Sequence, residues 1–272
     1  MLLKSSFFGV KGPKGRRRKV YRKNKKPEDQ KVINPSVLSK GQIELICNIL
    51  TDTYMERHMS HANGVYEIDI EDLVVNQLGC KIVYENISQA ADSLGFTSNG
   101  IKPLKVTRNG HVEEVVFEKD TIVLDNCLTL PGNNNRKRFT IGHEAGHVIK
   151  SRLYGTNESK FYHAGGVLIE TRDEMDERFS ISEVEANNIA ANLLMPESTI
   201  KLLMEVLYKS EKLIQYDECF LDRVDSSKVS VLASIMGVSF TAMFYRLKSL
   251  GFVERGVLAT FVEENVMREV EP

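Results

Sequence analysis

The sequence is poor in cysteine, and its few cysteines are widely spaced. Four occur in 272 residues, and none belongs to a CxxC pair. They are Cys47, Cys80, Cys127 and Cys219. A disulfide framework or a cysteine-based zinc site is therefore not expected. Reduced, mostly buried thiols are typical of a cytoplasmic protein, and we predict that location.

The chain also lacks a long hydrophobic run. No stretch approaches 18 apolar residues, so we expect no membrane span. The first 19 residues do not resemble a secretory signal, because their apolar stretches are short and the positive charges follow them. The hydrophobic content of 42% is sufficient for a buried core, and we expect a main domain with one or two smaller lobes.

An excess of charge of one sign is absent from the whole chain but present at its N-terminus. The net charge is −1, yet residues 1–31 contain twelve lysines and arginines and only two acidic residues. Residues 1–35 are predicted to form a disordered basic tail. Residues 1–31 could contact nucleic acid or an acidic partner. A solvated tail without a partner explains the composition equally well.

Apolar spacing gives a coarse map of secondary structure. It predicts helices over residues 39–59, 69–78, 137–152, 182–194 and 196–208, and strands over residues 80–84, 104–106, 114–117 and 121–124. The Asn109-Gly110 step predicts a β-hairpin. Residues 156–180 are predicted to form a long polar excursion, and residues 226–250 two short helices joined around Gly237.

Residues 143–147 read HEAGH and carry the strongest chemical signal. Side chains four residues apart lie on one face of a helix, so His143 and His147 can bind one metal ion. Zinc suits two histidines and a third protein ligand, because it keeps a position for water. Glu144 lies beside them and can act as general base toward that water. The alternative is two ordinary histidines, but HExxH is rarely met by chance.

The residues alone leave the third ligand open. Glu183 and Glu185 belong to the next predicted helix, which could pack beside the HEAGH helix. Because they are two residues apart, they point in different directions and only one can reach the metal. Either could instead be a solvated carboxylate.

Two stretches of the chain resemble the ImmA/IrrE family of zinc metallopeptidases. They are RFTIGHEAGH (138–147) and EVEANNIAANLLMP (183–196), in the order and approximate spacing of the family. The resemblance implies one Zn²⁺ per chain, with His143, His147 and Glu185 as ligands and Glu144 as catalyst. It also implies a zinc-dependent endopeptidase whose protein substrate is a helix-turn-helix repressor.

From these observations we expect an α+β fold with a zincin-like metalloprotease core. A small mixed sheet would pack on the HExxH helix, and a helical C-terminal region would follow. We divide the chain into the basic tail 1–35, a zinc metallopeptidase domain over 36–200, and a helical region over 201–272 with a helix-turn-helix-like pair.

A peptidase also needs a group that stabilises negative charge on the carbonyl oxygen. The candidates are Tyr154, Tyr162 and His163, although each is more simply explained as a packing or surface residue.

The C-terminal helix pair raises an alternative function. Gly237 suits a helix-turn-helix, and Ser239 can cap the second helix. That helix has only Arg246 and Lys248 to neutralise phosphates, which favours packing over DNA reading. The alternative to a peptidase is therefore a DNA-binding or partner-sequestering regulator whose metal site is structural or vestigial.

Overall fold

The computed structural model describes residues 37–58, 67–87, 94–155, 172–217 and 220–267. These residues form helices and small sheets, as expected for a mixed α+β protein. The helices are α1 (Lys40–His58), α2 (Ile70–Asp72), α3 (Asn134–Tyr154), α4 (Arg172–Leu194), α5 (Glu197–Tyr208), α6 (Arg223–Met236), α7 (Phe240–Ser249) and α8 (Leu258–Asn265). The strands are β1 (Lys81–Glu85), β2 (Gly95–Thr97), β3 (Leu104–Arg108), β4 (His111–Val115), β5 (Thr121–Asp125), β6 (Leu213–Tyr216), β7 (Phe220–Leu221) and β8 (Val253–Gly256).

The first sheet lies against α3 and has the order β1-β5-β2. Strand β1 runs parallel to β5, whereas β2 runs antiparallel to it. The central strand β5 is fully buried over its first four residues because helices and hairpin cover it. Strand β2, with only three residues, was missed from the sequence because so short a run has no readable period.

A β-hairpin of β3 and β4 confirms the prediction made from Asn109-Gly110. Both turn residues have positive φ, 50° at Asn109 and 80° at Gly110, which suits asparagine and glycine. Strand β4 starts at His111, three residues before the predicted strand.

Helices α3 and α4 pack closely because small residues face each other. A Cβ added to Gly146 would lie 3.0 Å from Ala186 Cα, and one added to Gly142 would lie 3.2 Å from Ala190 Cα. The two glycines are four residues apart, as are the two alanines, so each pair lies on one helix face. This contact brings the polar side chains of α4 up to the HEAGH segment.

The C-terminal part contains more strand than the sequence predicted. Strands β6 to β8 form a third sheet of order β7-β6-β8, alongside α6 and α7. The two helices meet at 104°, after Gly237 ends α6 in the left-handed conformation and the Ser239 hydroxyl caps α7. In the described ranges, no single helix is long and apolar enough to cross a membrane; α6 and α7 meet that test only together.

One boundary differs markedly from its prediction. Helix α4 begins at Arg172, ten residues before the predicted start, so the helix takes over part of the expected polar excursion. The basic tail 1–35 lies outside the described residues, and the proposed boundary near residue 200 stays a prediction.

Candidate metal centre

The two histidines of HEAGH converge on one side of α3. His143 Nε2 and His147 Nε2 lie 3.1 Å apart, and their rings meet edge to face. Both side chains are buried, with about nine tenths of each residue's surface removed from solvent. The four-residue helical spacing therefore does what the sequence predicted: it brings two imidazole nitrogens to one point.

Glu183 of α4 completes the group. Its Oε2 lies 3.2 Å from His143 Nε2, and its Oε1 lies 3.4 Å from His147 Nε2. One atom from each of the three side chains falls within 4.8 Å of the others, so the group could hold a metal ion. Nitrogen and carboxylate oxygen are both ligands of transition metals.

Glu185 does not take the place that the family resemblance implied for it. Its carboxylate forms a buried ion pair with Lys150 of α3 and accepts a hydrogen bond from the Leu38 backbone N–H. The choice of Glu185 over Glu183 as the histidines' partner therefore disagrees with the structure. The physical reason is the two-residue offset, which turns the carboxylates toward different neighbours along α3.

Asn187 supports the histidine pair from behind. Its Oδ1 lies 2.9 Å from His143 Nδ1. An amide oxygen can only accept, so Nδ1 carries the proton and Nε2 presents its lone pair toward Glu183 and His147. Asn187 follows Glu183 by four residues and so shares its helix face. A hydrogen bond to the outer ring nitrogen is the usual means of orienting a metal-binding histidine.

Glu144 is buried and held by the short edge strand β2. The Thr97 hydroxyl lies 2.9 Å from Glu144 Oε2 and 3.0 Å from the Glu144 carbonyl oxygen, so its single proton is shared between two acceptors. Only a glycine fits at position 95, opposite the Glu144 side chain. A Cβ on Gly95 would approach Glu144 Oε1 to 2.9 Å. Strand β2 thus fixes the position of the carboxylate.

The three candidates for oxyanion stabilisation gain no support. Tyr154 follows His147 by seven residues on the same helix, about 10 Å along the axis, and packs against the main hydrophobic cluster. Tyr162 and His163 lie outside the described residues.

Sequence reasoning missed several residues that build this centre. Thr97 and Gly95 left no signal, because their roles depend on a strand brought to α3 from elsewhere in the chain. Other residues did leave a signal in the sequence, because they are spaced four residues apart. This holds for the two glycines of α3 (142 and 146) and for Glu183 and Asn187 on α4. Applied to α4, that spacing groups Glu183 with Asn187 rather than with Glu185.

Comparison with known proteins identifies the family of the chain. The family model Peptidase_M78, described as an IrrE N-terminal-like domain, matches residues 75–248, which include α3 and α4. A search of curated proteins finds no match. The matched range covers more than half of the chain and confirms the resemblance to the ImmA/IrrE family. The chain therefore belongs to the Peptidase_M78 family and carries its metallopeptidase-like, IrrE N-terminal-like domain.

Proposed function

We propose that the protein is a zinc-dependent endopeptidase that hydrolyses a peptide bond in a protein substrate. His143, His147 and Glu183 would hold one Zn²⁺, and Glu144 would act as the general base. The observation that carries the proposal is the convergence of two imidazole nitrogens and one carboxylate, with Glu144 next to His143 in the chain.

The spacing of the three donor atoms supports zinc. Ligands about 2.0–2.1 Å from a tetrahedral ion lie about 3.3 Å from one another. The separations of 3.1, 3.2 and 3.4 Å fall around that value. Two histidines and one carboxylate also leave a fourth position open, as in zinc sites that catalyse hydrolysis. The residues present therefore fit the metal that the family implies.

The protein side of the reaction follows from the residues around Glu144. A bound zinc ion would lower the pKa of a water and polarise the substrate carbonyl. Glu144 would accept the proton of the attacking water and return it to the leaving amine nitrogen. The Thr97 hydroxyl, donating to Glu144 Oε2, holds the carboxylate in place for both transfers. Asn187 keeps His143 in the tautomer whose Nε2 points to the metal position.

The architecture around α3 supports a zincin-like core. A small sheet with parallel and antiparallel strands lies against the HExxH helix, and a second helix supplies a carboxylate. For the substrate we propose a helix-turn-helix repressor, as the resemblance to the ImmA/IrrE family implies. The contact of residues 1–31 with nucleic acid is a separate proposal that rests on charge alone.

The packing of α7 argues against the alternative of a DNA reader. Arg246 is buried and donates from Nε to the Met195 carbonyl oxygen at 3.0 Å. Lys248 donates to Gln215 Oε1 at 3.0 Å. Buried Arg246 cannot reach a phosphate, and the exposed Lys248 is already hydrogen-bonded to a neighbouring side chain, whereas DNA affinity depends on cations that reach phosphates.

The variant Glu144→Gln tests the mechanism. It removes the base but keeps the shape, so it should bind zinc as wild type does and lose activity by roughly 10²–10⁴-fold. Zinc-loaded wild type, Glu144→Gln and the exposed control Glu56→Gln would each be incubated with a proteome-derived peptide library. New N-termini would then be counted by mass spectrometry.

The control should match wild type in both zinc content and cleavage. Equal cleavage by Glu144→Gln would show that Glu144 is not the base. If zinc-loaded wild type and Glu144→Gln both yield no new termini above the protein-free blank, the chain is not an endopeptidase of the proposed kind.

A further inference from the structure

A cavity of about 320 Å³ lies between α1, α3, α4 and α7. It is distinct from the metal centre but close to it, because Asn187, which contacts His143, lines one wall. Its volume is at the lower end of the roughly 300–1,000 Å³ that small-molecule sites occupy. Its walls are mainly apolar and include Phe139 and Tyr245.

Two buried polar side chains that line this cavity have unsatisfied atoms. Arg246 Nη2 has no hydrogen-bond partner among the described residues, and neither does Asn192 Oδ1. The residues themselves are 5% and 6% exposed. Buried donors and acceptors are rarely left unpaired in folded proteins, and such atoms call for an explanation. Both atoms are closed to solvent as they stand. One missing acceptor and one missing donor at the same cavity suggest a single ligand that supplies both when the two side chains turn toward it.

The charge around Arg246 points the same way. Burial lowers the pKa of its guanidinium, and the carboxylates of Glu44 and Glu197 only partly offset this effect. Those carboxylates have cations of their own, since Glu44 lies 3.8 Å from Lys40 and Glu197 lies 2.6 Å from Lys201. A buried guanidinium without a direct counter-ion is costly, and an anion in the cavity would remove that cost.

We propose that this cavity binds a small carboxylate that carries a hydrogen-bond donor next to the carboxylate and an apolar body. The carboxylate pairs with Arg246, the donor binds Asn192 Oδ1, and the apolar body packs between Phe139 and Tyr245. Guanidinium groups bind carboxylates through two parallel hydrogen bonds, which gives the site its preference for a planar anion. The inference does not rest on the proposed peptidase activity.

A matched pair of ligands tests the proposal. N-acetyl-L-phenylalanine has the carboxylate, the donor and the apolar body, whereas N-acetyl-L-phenylalaninamide has a neutral carboxamide of similar shape in place of the carboxylate. Titration calorimetry on the zinc-loaded full chain should show saturable binding of the acid and at least tenfold weaker binding of the amide. Arg246→Gln should weaken binding of the acid at least tenfold.

Three further variants locate the binding and guard against misfolding. Ala242→Leu fills the cavity without removing a buried charge and should abolish binding. Val206→Ala, exposed on α5, should not change it. Glu183→Gln, which disrupts the metal centre, should keep it. Binding lost in Glu183→Gln but kept in Ala242→Leu would place the ligand at the metal and overturn the proposal. Equal affinity for acid and amide would show that Arg246 does not select a carboxylate, and no saturable binding of either would show that the cavity holds only water; each outcome overturns the proposal.

Discussion

Helices α3 and α4 share two polar clusters, and the two differ in the groups that face the carboxylate. In the first, Glu185 is neutralised by Lys150, which also donates to Ser182 Oγ at 2.8 Å. In the second, Glu183 faces two histidine nitrogens, 3.2 Å from His143 Nε2 and 3.4 Å from His147 Nε2.

The difference teaches which of two neighbouring carboxylates is available for chemistry. A cluster that contains its own cation is closed, because its charges are paired within the protein. Converging lone pairs beside a carboxylate form an open cluster that a metal cation completes. The same pair of helices thus builds one structural site and one candidate functional site, one helical turn apart.

The largest expected effect separates the two carboxylates. Glu183→Gln should lower zinc affinity by more than the roughly 100-fold typical of changes in outer-shell partners, because it removes a ligand. Glu185→Gln should keep zinc, because Glu185 pairs with Lys150. For both variants, the zinc content is measured after gel filtration, and the zinc affinity is measured by competition with a chelator of known affinity. Loss of zinc in Glu185→Gln alone would reverse the assignment.

The closed cluster should respond in stability instead. Lys150→Met leaves Glu185 buried without its cation and should cost about 3–5 kcal/mol of unfolding free energy. Urea denaturation measures this cost. The double variant Lys150→Met/Glu185→Met should recover most of it, since no charge is then left unpaired.

A surface pair provides the control for that experiment. Lys212 and Glu254 lie 2.6 Å apart, and both side chains are more than half exposed. Lys212→Met should change the free energy of unfolding by no more than about 1 kcal/mol. If Lys150→Met costs as little, the buried pair does not have the role assigned to it.

A smaller effect is expected at the support of the open cluster. Asn187→Ala removes the acceptor that orients His143 and should weaken zinc binding by about 10–100-fold. Asn188→Ala, the exposed neighbour on the same helix, should leave zinc affinity unchanged. Equal affinities for the two variants would mean that Asn187 does not orient the ring.

The smallest effect concerns the base rather than the ligands. Thr97→Val removes the hydrogen bond to Glu144. It should raise the activation free energy by about 1 kcal/mol, which lowers kcat roughly fivefold, and leave the zinc content unchanged. Thr97→Ser should restore the wild-type kcat because it restores the hydroxyl. A loss of zinc in Thr97→Val would instead show that β2 supports the ligands.

Much of the fold could be predicted from local sequence signals. The HEAGH helix, the hairpin at Asn109-Gly110 and the two helices on either side of Gly237 were all predicted, because their signals lie within a few residues. Strand β2 and the sheet of β6 to β8 were not, because strands of two to four residues are defined by partners far away in the chain. The start of α4 was placed too late, since six of the first seven residues of the helix are charged and Met175 and Phe179 alone give a weak apolar period.

The sequence by itself determined the donor pair, because four-residue spacing on a helix brings His143 and His147 together whatever surrounds them. Only the tertiary structure decided which carboxylate joins them. That choice depends on how α4 is rotated against α3, and the rotation is set by Gly142 and Gly146 packing on alanines. Glu183 meets the histidines and Glu185 meets Lys150 for this reason, which no single segment of the sequence contains.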